Sequence, residues 1–104
     1  VSEHTLISPL GFAAGAVSGV YFALERQHGL KVDHVITVGT AHPYVRNAAE
    51  ILETLFRRVD GVDYRPRYID AIDLKGPERD ASGPFAARMG LYIDRARDAG
   101  QTVH

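Results

Sequence analysis

The chain has 104 residues, 45% hydrophobic and 24% charged, with a formal net charge of −1, which is material for one globular domain with a modest core. Having no cysteine, it cannot be a disulfide scaffold, a thiolate zinc site or a cysteine-nucleophile enzyme, and it suits a reducing, cytoplasmic setting. No apolar run approaches the ~20 residues of a membrane span, no signal-peptide pattern opens the chain, and near-neutral charge argues against duplex DNA as partner.

Thr5-Leu6-Ile7 reads as a short buried strand ended by Ser8-Pro9, and Ser8 to Gly15 as a turn-rich loop. A helix is expected from Ala16 to His28-Gly29, with Val17, Val20, Tyr21 and Leu24 on one apolar face. Val32 to Val38 is the clearest strand, nearly continuous in apolar residues as a parallel strand buried on both faces would be. The loop Gly39 to Pro43 follows, with Thr40 and Asn47 as alternative caps of a second helix running to about Val59. Its apolar stripe is Val45, Ala48, Ala49, Leu52, Leu55, Phe56 and Val59. Tyr64 to Ile72 is β-prone, and Pro66 marks it as an edge strand or one starting just after the proline. Lys75 to Gly83 reads as a long loop, and Pro84 as the first turn of a third helix buried through Phe85, Met89, Ile93 and Ala96. Gly100 stops that helix, and Thr102-Val103 opens a fourth strand.

Strand and helix in strict alternation imply an α/β, Rossmann-like three-layer domain with a mostly parallel sheet. The chain starts at Val1 and stops as the fourth strand opens. The domain is therefore expected to be incomplete at its C-terminus, the N-terminal part of a longer protein.

Ligands of such sheets bind beyond the C-terminal ends of the strands, which selects two loops. In the first, Gly11 and Gly15 remove side chains ahead of a helix start, where N–H groups can hold a phosphate or carboxylate. Ser8 and Ser18 could add hydroxyl contacts. The spacing is neither that of a dinucleotide fingerprint nor of a Walker loop. The same glycines also fit a turn that serves only helix–sheet packing. The second loop carries Thr40 and His42, the latter a ready acid–base residue or an ordinary surface histidine. His4 and His34 are isolated, and no histidine pair has metal-ligand spacing, so neither metal nor other cofactor is expected. Arg57-Arg58, Arg65 and Arg67 form a basic cluster offset by Asp70, Asp73, Glu78 and Asp80, and Arg88, Arg95 and Arg97 alternate with Asp94 and Asp98; both read as solvated surface, with Arg88 early enough in its helix to face a ligand.

The run from Ile7 to Leu24, with Ser8-Pro9-Leu10-Gly11-Phe12 and Val17-Ser18-Gly19-Val20-Tyr21-Phe22-Ala23-Leu24, resembles the start of CARF domains, as does Val35-Ile36-Thr37-Val38-Gly39-Thr40. These are the Rossmann-fold sensors of type III CRISPR antiviral defense. Beyond those positions the match is only one of strand–helix rhythm. The resemblance implies that residues 1–104 are a CARF-like ligand-sensing domain that forms a homodimer and binds one cyclic oligoadenylate across the twofold axis. By that likeness Ser8, Leu10, Gly11, Phe12, Ala13 and Gly15 line the ring, and Gly39, Thr40 and His42 flank it. An effector nuclease, fused or separate, is the implied partner.

Some members cleave their ring without metal, by attack of a ribose 2′-hydroxyl on the neighbouring phosphate. In that role Ser8 or Ser18 would orient the phosphate and His42 would act as acid or base. Two departures stand out. Ala13-Ala14 replaces a Ser/Thr-Pro pair and so removes a hydroxyl, and the family's later Gly-Gly-Arg-Lys-type motif does not occur within the chain. Whether the chain is an enzyme stays open. The alternative function is a Rossmann-like enzyme, or fragment of one, binding a mononucleotide or phosphorylated metabolite. A third is a purely structural α/β domain.

Overall fold

The computed structural model describes residues 3–59, 61–69 and 82–104. Its elements are β1 (His4–Pro9), α1 (Ala14–His28), β2 (His34–Thr40), α2 (Pro43–Arg57), β3 (Asp63–Ile69), α3 (Ser82–Asp98) and β4 (Thr102–Val103). The sheet runs β3-β2-β1-β4 with every pair parallel. This is the α/β, Rossmann-like architecture that the alternation implied. The strand order steps from β1 to β3 in one direction, then crosses back to place β4 on the other side of β1. The winding therefore reverses at β1, where open α/β sheets leave a crevice beyond the strand ends.

Pleating decides which residues meet which helices. Leu6, Val35 and Tyr64 share one face through the register Leu6–Val35–Tyr64, and α1 and α2 cover it. Val17, Tyr21, Leu52 and Phe56 fill that layer, all at most 2% exposed, with the rings of Tyr21 and Phe56 edge-on at 5.0 Å. The Tyr21 hydroxyl reaches the layer's margin and donates to Glu25 Oε1 at 2.7 Å. Thr37 is buried on this face as well, its Oγ1 sharing a hydrogen bond with the Tyr64 hydroxyl at 2.7 Å. Ile36, Arg65 and Arg67 point to the opposite face, where α3 contributes Ala96.

Local signals set most boundaries. Gly29 ends α1 in the left-handed region at φ 63°, with its N–H on the Glu25 carbonyl. Pro43 starts α2 at a position where an N–H has no helical partner. Pro66 lies within β3, which is an edge strand, the place where a sheet tolerates proline.

Several expected boundaries shift. β1 continues through Ser8-Pro9, because both residues still pair with β2, opposite Thr37 and Val38. α1 begins at Ala14 rather than Ala16, and β2 covers His34–Thr40 rather than Val32–Val38. α2 ends at Arg57, short of Val59. Val20, expected on the apolar face of α1, is 46% exposed, since Val17, Tyr21 and Leu24 centre the stripe and Val20 falls at its edge. Ser82 and Gly83 belong to α3, so that helix starts before Pro84. Residues 70–81, with the end of the expected third strand and most of the expected long loop, lie outside the described residues, as does the side chain of Phe85. Met89 and Ile93 are half-buried beside the buried Ala96. Among the described residues no helix is long and apolar enough to cross a membrane.

Candidate functional site

β1 and β2 are parallel neighbours in register, so the loops that follow them emerge side by side at one end of the sheet. Leu10 anchors the first loop. Its N–H donates to the Val38 carbonyl at 2.9 Å, and its side chain is buried in the core. The chain then turns outward, leaving Gly11, Phe12 and Ala13 exposed. Gly39 sets how closely this loop approaches α2. A Cβ there would lie 2.6 Å from Val45 Cγ1 and 2.8 Å from the Leu10 carbonyl oxygen. Leu10 and Gly39 thus build the site from beneath, through packing.

Gly11 and Gly15 differ from Gly39. Among the described residues, a Cβ at either would meet nothing within 4 Å. Tight packing therefore does not account for these two glycines, and their backbone borders open space. Ala13 occupies the N-cap of α1 without a side-chain cap, and the first turn contains no acidic residue. The Ala16 N–H donates weakly to the Ala13 carbonyl at 3.4 Å, and Ala13 gives the N–H groups ahead of it no side-chain cap, so the positive end of the helix dipole can meet an anion.

His42 caps α2. Its Nδ1 accepts the Tyr44 N–H at 3.1 Å. A neutral imidazole held this way carries its proton on Nε2, which is left as an outward donor. Thr40 Oγ1 accepts from the His42 N–H at a long 3.5 Å, a weak bond. Asn47, weighed as an alternative cap, lies inside α2 and is exposed; the cap is His42, which directly precedes Pro43.

The two loops meet through aromatic rings. Phe12 lies 4.9 Å from the His42 ring and 5.3 Å from Tyr44, and His42 lies 5.1 Å from Tyr44. Phe12 and Tyr44 are 63% and 64% exposed, so this is an outward-facing π surface and not core packing. Farther along the strand ends, the Arg46 guanidinium sits 4.5 Å above the Tyr68 ring, steadied by a hydrogen bond from Nε to the Ala41 carbonyl.

No family model matches the chain, and no curated protein matches it. What the corner can do follows from its side chains.

Gly11, Phe12, Ala13, Gly15, Thr40 and His42 gather at this corner, whereas Leu10 and Gly39 are buried under it. The hydroxyl protons of Ser8 and Ser18 are turned to backbone carbonyls, those of Pro9 at 3.1 Å and Gly15 at 3.2 Å. Tyr44, Arg46 and Tyr68 were not visible as site residues in the sequence. Tyr44 had one local signal: it follows His42-Pro43, a helix start beside a candidate loop. For the Arg46–Tyr68 stack no linear signal exists, because the pair forms only when α2 lies along β3. Arg88 is exposed on α3.

Proposed function

We propose that the chain is a sensor domain of the CARF type, binding cyclic oligoadenylate across a homodimer and passing that signal to an effector nuclease. One observation carries the reading. An exposed Phe12–His42–Tyr44 surface lies next to an uncapped helix start bordered by open glycine backbone. Nucleobases stack on aromatic faces, and phosphates settle on helix N-termini, so the corner offers both halves of a nucleotide in adjacent places. A ring of identical nucleotides suits two identical corners related by a twofold axis.

The cap on His42 bears on cleavage. While Nδ1 accepts from Tyr44, Nε2–H can hydrogen-bond a phosphate oxygen but cannot accept a proton. In ring opening, the 2′-oxygen would bond to phosphorus and the 5′-oxygen would leave, giving a 2′,3′-cyclic phosphate. The 2′-hydroxyl proton would pass to water, and the leaving oxygen would take one from water. His42 and the α1 N–H groups would stabilise the charge on the phosphate without a metal, and with water as the proton acceptor the cleavage would be slow.

The test is a calorimetric titration with cyclic tri-, tetra- and hexa-adenylate, linear oligoadenylate and AMP, with products checked by chromatography in EDTA. Selective binding of one ring per two chains is expected. AMP bound once per chain, with rings ignored, would replace the sensor by a mononucleotide site. A ligand-free result with all five would sink both.

A further inference from the structure

A groove of about 250 Å3 lies between β2, β3 and α3, on the sheet face opposite Tyr64 and Tyr68. Arg65 and Arg67 line it from β3 and Arg95 from α3, with His34, Tyr92 and Gln101 completing its polar wall. Among the described residues, Asp63 is the one carboxylate in that lining, beside three arginines. Arg65 is held in place by Asp63, Nε to Oδ2 at 2.9 Å. Being two residues apart on one strand, Arg65 and Arg67 share a face at a spacing of roughly 6.6 Å. Arg95 approaches the same space from the helix. Arg67 Nη1 donates to the Pro66 carbonyl at 3.3 Å, so Arg65 and Arg67 are both tethered before a ligand arrives.

We propose that this groove is a second ligand site, for a small phosphorylated molecule carrying two linked phosphates. The guanidinium fork matches phosphate oxygens two at a time, and three arginines spread along a strand and a helix suit charge spread over two linked phosphates. At about 250 Å3 the groove is smaller than the ~300–1,000 Å3 usual for drug-sized ligands, which suits a pyrophosphate-sized group. The groove shares no residue with the Phe12–His42–Tyr44 corner, so it works whether or not that corner binds an adenylate ring.

Inorganic pyrophosphate is the probe, titrated into the full chain and followed by calorimetry and by amide shifts in NMR. Saturable binding is expected, with shifts on β3 and α3. Arg67→Ala and Arg95→Ala should each weaken it roughly 10-fold or more. Arg95→Lys, which keeps the charge but loses the fork, should weaken it less than Arg95→Ala. All these side chains reach solvent, and circular dichroism would show each variant folded. Citrate should bind more weakly than pyrophosphate; equal binding would overturn the phosphate assignment. The site itself is overturned by absence of saturation, by arginine variants that bind like the parent, or by amide shifts confined to the start of α1, which would place the anion there.

Discussion

The rings of Phe12 and His42 lie 4.9 Å apart although they belong to different loops, one after β1 and one after β2. That contact joins the uncapped start of α1 to the capped start of α2. It separates what Phe12 does for the fold from what it does for a ligand. Since the ring is 63% exposed, Phe12→Ala should change stability by less than about 1 kcal/mol. If a base stacks there, the same change should cost roughly 1–3 kcal/mol of binding, about 5- to 150-fold. Urea unfolding and ring titration on one preparation read both numbers.

His42→Asp is the sharper variant at the same corner. Aspartate is a strong N-cap and sits well at the positive end of a helix, so α2 should keep its stability within about 0.5 kcal/mol. The new negative charge would face the phosphates that Nε2–H is proposed to hold. Thermal unfolding should be unchanged while adenylate binding falls by more than an order of magnitude. Retained binding would remove His42 from the site.

Gly39→Ala should destabilise by about 1–3 kcal/mol. The added Cβ would meet the Leu10 carbonyl at 2.8 Å, and this backbone cannot yield freely, because the Leu10 N–H is bonded to Val38. Relief requires moving the loop that carries Phe12. Ligand affinity and urea midpoint should therefore fall together, unlike in Phe12→Ala.

Thr37 and Tyr64 form a hydroxyl pair 2.7 Å apart, and Thr37 is only 1% exposed. Thr37→Val should cost about 1–2 kcal/mol, since it strands the half-buried Tyr64 hydroxyl. Tyr64→Phe should cost a similar amount. The double variant should cost less than the sum of the two, because the second change removes an already stranded group.

His34 gives the fold a pH dependence. Its hydrogen bond to Glu3 at 2.7 Å is the main cause of a pKa raised above 6.5; partial burial opposes the rise, and Asp63 adds to it. A histidine with a raised folded-state pKa contributes fully below its unfolded value. That contribution is lost as pH rises through the folded value. Stability measured by urea from about pH 5.5 to 8.5 should therefore fall across the upper part of that range. Glu3→Gln should flatten the slope. Added salt should do so in part, as Glu3 is 60% exposed.

By itself the sequence determined the alternation of elements, the parallel sheet, the stripe of α2 and both glycine stops, Gly29 and Gly100. Those features depend on periodicity and on backbone conformations that few residues adopt, and both are local. The two loops were legible as a place for chemistry because parallel strands bring their C-terminal ends to one side. Tertiary structure decided which residues in them face outward. Leu10 and Gly39 read like Gly11 and Gly15 in the chain, yet the first two are sealed by Val38 and Val45 while the others border open space. Only packing distinguishes them. The same holds for Arg65 and Arg95, read as two stretches of solvated surface until the crossover to β4 lays α3 over the sheet and turns both into one groove. A linear pattern records which side of its own element a residue occupies; what stands across from that side depends on strand order and on the hand of the crossover.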